Sequence, residues 1–225
     1  MSGDLALAAL EAGGRDAQLR FFPAARMVRA VAEGDVACAL GGRVLFEEPG
    51  VADRVHVGTI IQYVNQVFFF DARRYPDGVR FTRLGDLAGY RIGVLNASGI
   101  MHILDEQGSL QLAPAASHEG LARQLALGRI DLWATVDLTG LAYLRELFPG
   151  EVAHYRYTQP FNRGDVSFVC SKKRDPDNAY GYLFETGMKK IIEDGTYLEL
   201  MARYYGDRAA INRNALNDEQ RKRLR

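Results

Sequence analysis

The feature that most constrains this chain is a junction that occurs twice: an apolar-faced helix stopped by glycine and feeding at once into an apolar strand. Residues 29–36 read Arg-Ala-Val-Ala-Glu-Gly-Asp-Val, and residues 123–130 read Arg-Gln-Leu-Ala-Leu-Gly-Arg-Ile, with Gly34 and Gly128 at the same place. Glycine suits that stop because it adopts the left-handed conformation that ends a helix. Such junctions recur in many α/β proteins, but two copies of a strand–helix–strand module suggest two similar lobes. Around the first copy, Leu5, Ala8, Ala9 and Ala12 fall at helical spacing behind Asp4 as N-cap. Residues 18–22 read as a short strand stopped by Pro23, residues 24–33 as a helix, and residues 36–40 as a buried strand. A β-rich stretch covers residues 55–70, heavy in Val, Ile, Tyr and Phe.

From Tyr90 the alternation restarts. Strands are expected at 91–95, 110–113, 130–136, 152–157 and 166–171, with helices at 99–106, 117–127 and 137–148. Helices at 177–194 and 196–205 follow. The tail from Asp207 has no clear apolar stripe and reads as a solvated or frayed extension.

Composition narrows the function. At 225 residues the chain fits one large or two small domains. Its 28 Lys+Arg balance 28 Asp+Glu, without the basic excess of a nucleic-acid binder. No apolar run approaches the roughly 18 residues of a membrane span. The start shows no basic segment followed by an apolar stretch and a cleavage site, so no signal peptide is visible. Cys38 and Cys170 lie far apart in sequence and read as buried thiols, leaving the redox compartment open. His56, His102, His118 and His154 show no metal spacing, and neither a nucleophile elbow nor a phosphate loop is present. Nothing points to a cofactor, and catalysis has no positive evidence.

Four stretches in order resemble one family. Pro23 and Arg26 followed by Gly34 and Asp35 resemble the "P..R….G..D" run of bacterial extracellular solute-binding proteins, the polar amino-acid-type receptors of ABC importers. Residues 84–94, Leu-Gly-Asp-Leu-Ala-Gly-Tyr-Arg-Ile-Gly-Val, resemble their entry to a second lobe. Residues 125–131 resemble "L..GR.D", and residues 189–204 resemble a closing "dGt…kY" segment. The resemblance implies a two-lobed, type II periplasmic-binding-protein-like α/β fold, each lobe a mostly parallel sheet flanked by helices, joined by two crossing segments. It places lobe one at 1–75 plus 171–206, lobe two at 76–170, and a tail at 207–225. It also implies a hinge near 70–76 and 170–173, a ligand gripped between the lobes, and a periplasmic location.

Candidate ligand residues follow. Asn96, Ser98 and Gly99 come directly after a strand and open a helix, whose free N–H groups and positive dipole end suit a carboxylate. N-capping by Ser98 or Asn96 explains the same residues. Arg54 falls near the family's carboxylate-pairing arginine, although the loop before it carries about five extra residues; a surface ion pair with Asp53 or Glu48 is the alternative, worth roughly 0–1 kcal/mol. Asp137 lies one place beyond the family's ammonium-binding acid and equally suits a helix start. Tyr63, with Gln62 and Asn65, could form a cleft wall or simple packing. Trp133 reads as core. Gly41 and Gly42 stand where amino-acid receptors offer hydroxyls, which weakens the case for a standard amino acid.

The family's first strand is missing ahead of the helix at Asp4, so a rearranged sheet or a homodimer through the incomplete lobe-one sheet is expected. The leading reading is a solute-binding protein or binding domain, not an enzyme, that holds a small polar, carboxylate-bearing ligand and works with ABC transporter membrane subunits or in sensing. The alternatives are a truncated or degenerate homologue acting through protein contacts, or a dehydratase using Asp137, Asp131 or Glu119.

Overall fold

In the computed structural model, which describes residues 1–209 and 211–223, the chain forms two compact units. One comprises Met1–Val64 with Gly164–Arg225, the other Asn65–Arg163. The chain passes between them twice, outward along β2 (Val55–Asp71) and back along β7 (Asn162–Ser171).

The first unit opens with α1 (Ser2–Ala12), whose Leu5, Ala6, Ala9 and Leu10 are buried. Asp4 sits in its first turn, and Met1 occupies the N-cap position expected for Asp4. The strand expected at 18–22 does not form; Phe21 is 93% exposed there. A strand needs a neighbouring ladder for its N–H and C=O groups, and apolar alternation alone does not supply one. Then come α2 (Ala24–Glu33), ended by Gly34 with φ 79, and β1 (Cys38–Gly41). β7 lies between β1 and β2 in the ladder. β1 runs antiparallel to β7, where parallel pairing was expected, because β7 is the return crossing and brings the chain back in the opposite direction.

That register sets Cys38 directly opposite Cys170, and the two form a disulfide. Buried free thiols are therefore corrected: 132 residues of separation hide a pairing that the ladder makes immediate.

Farther along, α6 (Ala179–Glu193) and α7 (Thr196–Tyr205) pack with α1 around Ile61, Phe168 and Phe184. The tail is not frayed where it is described. Ile211, Ala215 and Leu216 are buried in the same core, and a short helix, α8 (Asp218–Arg223), follows. Three apolar side chains without helical periodicity are enough to anchor it. Ala210, Leu224 and Arg225 of the expected tail lie outside the described residues.

The second unit is a sheet with helices. β3 (Arg91–Leu95) pairs in parallel with β4 (Gln111–Ala115) and with β5 (Leu132–Val136), while β5 and β6 (Tyr155–Tyr157) pair antiparallel with β2. Its helices are α3 (Gly99–Asp105), α4 (His118–Ala126), capped by Ser117, and α5 (Asp137–Leu147). One core gathers Phe68, Leu87, Ile92 and Leu132; another gathers Val67, Phe69, Leu121 and Trp133. No helix among the described residues is long and apolar enough to cross a membrane.

Candidate functional site

The parallel register Ile92↔Leu132, Gly93↔Trp133, Val94↔Ala134 brings β3 and β5 to the same level, so their C-terminal ends lie side by side. Each feeds a helix: β3 through residues 96–98 into α3, and β5 directly into α5. Two helix N-termini thus open at one edge of the sheet, the place where open α/β sheets hold ligands. Gly140 lets α5 come close to β2, since a Cβ there would stand 2.2 Å from Phe69 Cε2.

At α3, Ser98 does two local jobs. Its Oγ accepts from the Met101 N–H at 3.1 Å and donates to the Leu95 carbonyl at 2.7 Å. The capping reading of Ser98 is therefore realised. It uses one of the turn's orphan donors and leaves the N–H groups of Gly99 and Ile100 for an outside acceptor. Ala97 holds a left-handed φ of 51, a conformation rare outside glycine and costly enough to need support from its surroundings. Asn96 is exposed, and its N–H extends the ladder to the Ala115 carbonyl at 2.9 Å.

At α5, Asp137 is buried. Its Oδ1 accepts from the Leu138 N–H at 2.8 Å and its Oδ2 from Asn65 Nδ2 at 3.0 Å. A carboxylate at a helix N-terminus is favoured by the dipole. The buried Asn65 Oδ1 and Thr135 Oγ1 have no hydrogen-bond partner among the described residues. Beside them Asn162 Nδ2 donates to Gln66 Oε1 at 3.0 Å. Thr135, Gln66 and Asn162 were not legible as site residues; a threonine inside an apolar strand carries no signal until the register shows Val67 opposite it.

The structure therefore brings Asn96, Ser98, Gly99 and Asp137 together in the second unit. Arg54 and Tyr63 belong to the first. Arg54 is exposed in a 3-10 turn, and no ion pair joins it to Asp53 or Glu48 among the described residues; Tyr63 is half-buried on β2. Gln62 donates to Ser2 Oγ at 2.9 Å, which ties it to α1. Trp133 is fully buried, as expected.

Two other carboxylates are committed elsewhere. Asp131 accepts from Arg74 Nη2 at 2.9 Å, Tyr75 Oη at 3.0 Å and the Arg91 N–H at 2.9 Å. Burial alone would raise its pKa, but those hydrogen bonds outweigh it and hold the carboxyl below its usual range. Glu119 is exposed and pairs with Arg123 at 2.9 Å. Among the described residues no cluster of three or more His, Cys, Asp or Glu is placed to hold a metal ion.

Solved structures match this fold over about nine tenths of the chain. A histidine kinase sensor domain with similarity to periplasmic binding proteins superimposes with a TM-score of 0.75 at 17% identity, covering 91% of this chain and 85% of that one. The substrate-binding protein of an amino-acid ABC transporter gives 0.71 at 14% identity, with coverages of 91% and 86%. The arginine-, lysine-, histidine-binding protein ArtJ from Geobacillus stearothermophilus gives 0.71 at 16%, with 91% and 85%. The fold is that of the periplasmic binding proteins. No family model matches the sequence, and no curated protein matches it. The fold was legible in this sequence through its two helix–glycine–strand junctions and the four motif stretches, although identity to these solved structures is only 14–17%.

Proposed function

We propose that this chain is a solute-binding protein or sensor-type binding domain for a small solute that bears both a carboxylate and a cationic nitrogen. The observation that carries the reading is the pair of helix N-termini at the ends of β3 and β5 with the buried Asp137–Asn65 pair beside them. The N–H groups opening α3 suit a carboxylate, and Asp137 suits an ammonium or guanidinium. Arg54 and Tyr63 are assigned as further ligand contacts, with hinge motion at the two chain crossings. The solute-binding neighbours support delivery to ABC transporter membrane subunits, and the kinase sensor domain supports signalling. The Cys38–Cys170 disulfide supports an oxidising, extracytoplasmic compartment.

A thermal-shift screen with amino acids, dicarboxylates and aromatic acids tests this. A true ligand at a hundred times its Kd adds about 2.7 kcal/mol and raises the melting temperature by several degrees. Asp137→Asn should weaken binding of ammonium-bearing hits about tenfold or more. No stabilisation by any panel member would sink the reading.

A further inference from the structure

Seven basic residues against three acidic ones fall between 201 and 225, so a neutral chain carries its positive excess at this end. The structure collects part of that excess in one place. Arg213, Asn214, Arg221 and Lys222 line an open surface pocket of about 400 Å³. Arg213 belongs to a 3-10 turn (Arg213–Ala215), whereas Arg221 and Lys222 belong to α8. Basic residues in the last turn of a helix complement its dipole, which accounts for Arg221 and Lys222 but not for Arg213.

The platform beneath the pocket is held in shape. Ala215 and Leu216 are buried in the core, as is Gln220 at 2% exposure. Asn217 and Gln220 cap one another: each side-chain oxygen accepts the other's backbone N–H, at 2.7 and 2.8 Å. Arg221 Nε donates to the Arg213 carbonyl at 2.9 Å, which links the helix to the turn. Against three cationic groups the described residues set one carboxylate, Asp218, at 3.2 Å from Arg221. Among the described residues neither the Arg213 guanidinium nor the Lys222 ammonium has an ion-pair partner. Like charges held together in a concave site repel until an anion neutralises them, and planar guanidinium forks match tetrahedral phosphate oxygens.

We infer that the pocket formed by Arg213, Arg221 and Lys222 binds a phosphate-type anion, either the free ion or a phosphate carried on a lipid headgroup. The site is separate from the solute site proposed above and does not depend on it.

Two titrations of the full chain at low salt distinguish the sources. Inorganic phosphate is followed by calorimetry, and co-sedimentation uses phosphatidylglycerol–phosphatidylcholine vesicles against phosphatidylcholine alone. Phosphate heat without vesicle capture assigns the free ion. Capture by the anionic vesicles alone, reversed by added salt, assigns the lipid phosphate. Either must fall about tenfold in Arg213→Gln and in Lys222→Gln. Should Arg213→Gln lower the melting temperature, Lys222→Gln carries the test, because its ammonium is exposed and its loss leaves the platform intact. Binding in neither arm, or binding unchanged in both variants, overturns the proposal.

Discussion

Asp131 shows how one carboxylate can be worth more to the fold than to a ligand. It ends the "GR.D" run, and in the structure it gathers Arg74, Tyr75 and Arg91 into one network. Its pKa lies below the unfolded value of about 3.9. Its stabilisation is therefore complete above that value and is lost as the pH falls through the lower folded value. We expect Asp131→Asn to cost about 1–3 kcal/mol at neutral pH, limited by the exposure of both guanidiniums to screening water. The variant should also lose less stability than the parent between pH 4 and lower pH, by roughly that same amount. Urea titrations at several pH values check this; parallel acid limbs would contradict it. The motif was legible as a resemblance, but which atoms it served was not, because Arg74 and Arg91 reach it only through the folded sheet.

Among the elements, α1 and α6 approach each other closely at Gly187. A Cβ on Gly187 would lie 1.7 Å from the Ala9 carbonyl oxygen and 2.9 Å from the Gly13 backbone nitrogen. Backbone atoms cannot swing aside as a side-chain tip can, so Gly187→Ala must push the helices apart. We expect a loss of about 3 kcal/mol or more, at the upper end for overpacking. Far-UV circular dichroism in urea measures it, and wild-type stability in this variant would refute the account. The stripe of Leu5 and Ala9 announced that α1 has a buried face. Gly187, in the middle of a helix where glycine usually costs stability, gave no hint of which helix it admits. The unformed strand at 18–22 is the same lesson reversed: its residues alternate well enough, yet the structure supplies no ladder.

For the whole molecule, the disulfide is the deciding link. It joins Cys38 to Cys170, so the loop it closes contains all of Asn65–Arg163 while both cysteines belong to the first unit. Reduction should therefore destabilise the first unit by about 2–4 kcal/mol through a less constrained unfolded chain. Trp133, the only tryptophan, is buried in the second unit and reports on the packing around it. With reductant we expect the circular dichroism melt to begin earlier while the Trp133 fluorescence transition stays in place; coincident shifts would count against this division. The sequence by itself determined the α/β alternation, most helix and strand positions, and the helix start at Ser98, because periodicity, glycine stops and capping are local properties. Only tertiary structure decided the Cys38–Cys170 link, the Asn65–Asp137 pair and the buried anchors of the tail. Each depends on residues brought together by ladder register and packing, and no spacing along the chain encodes that proximity.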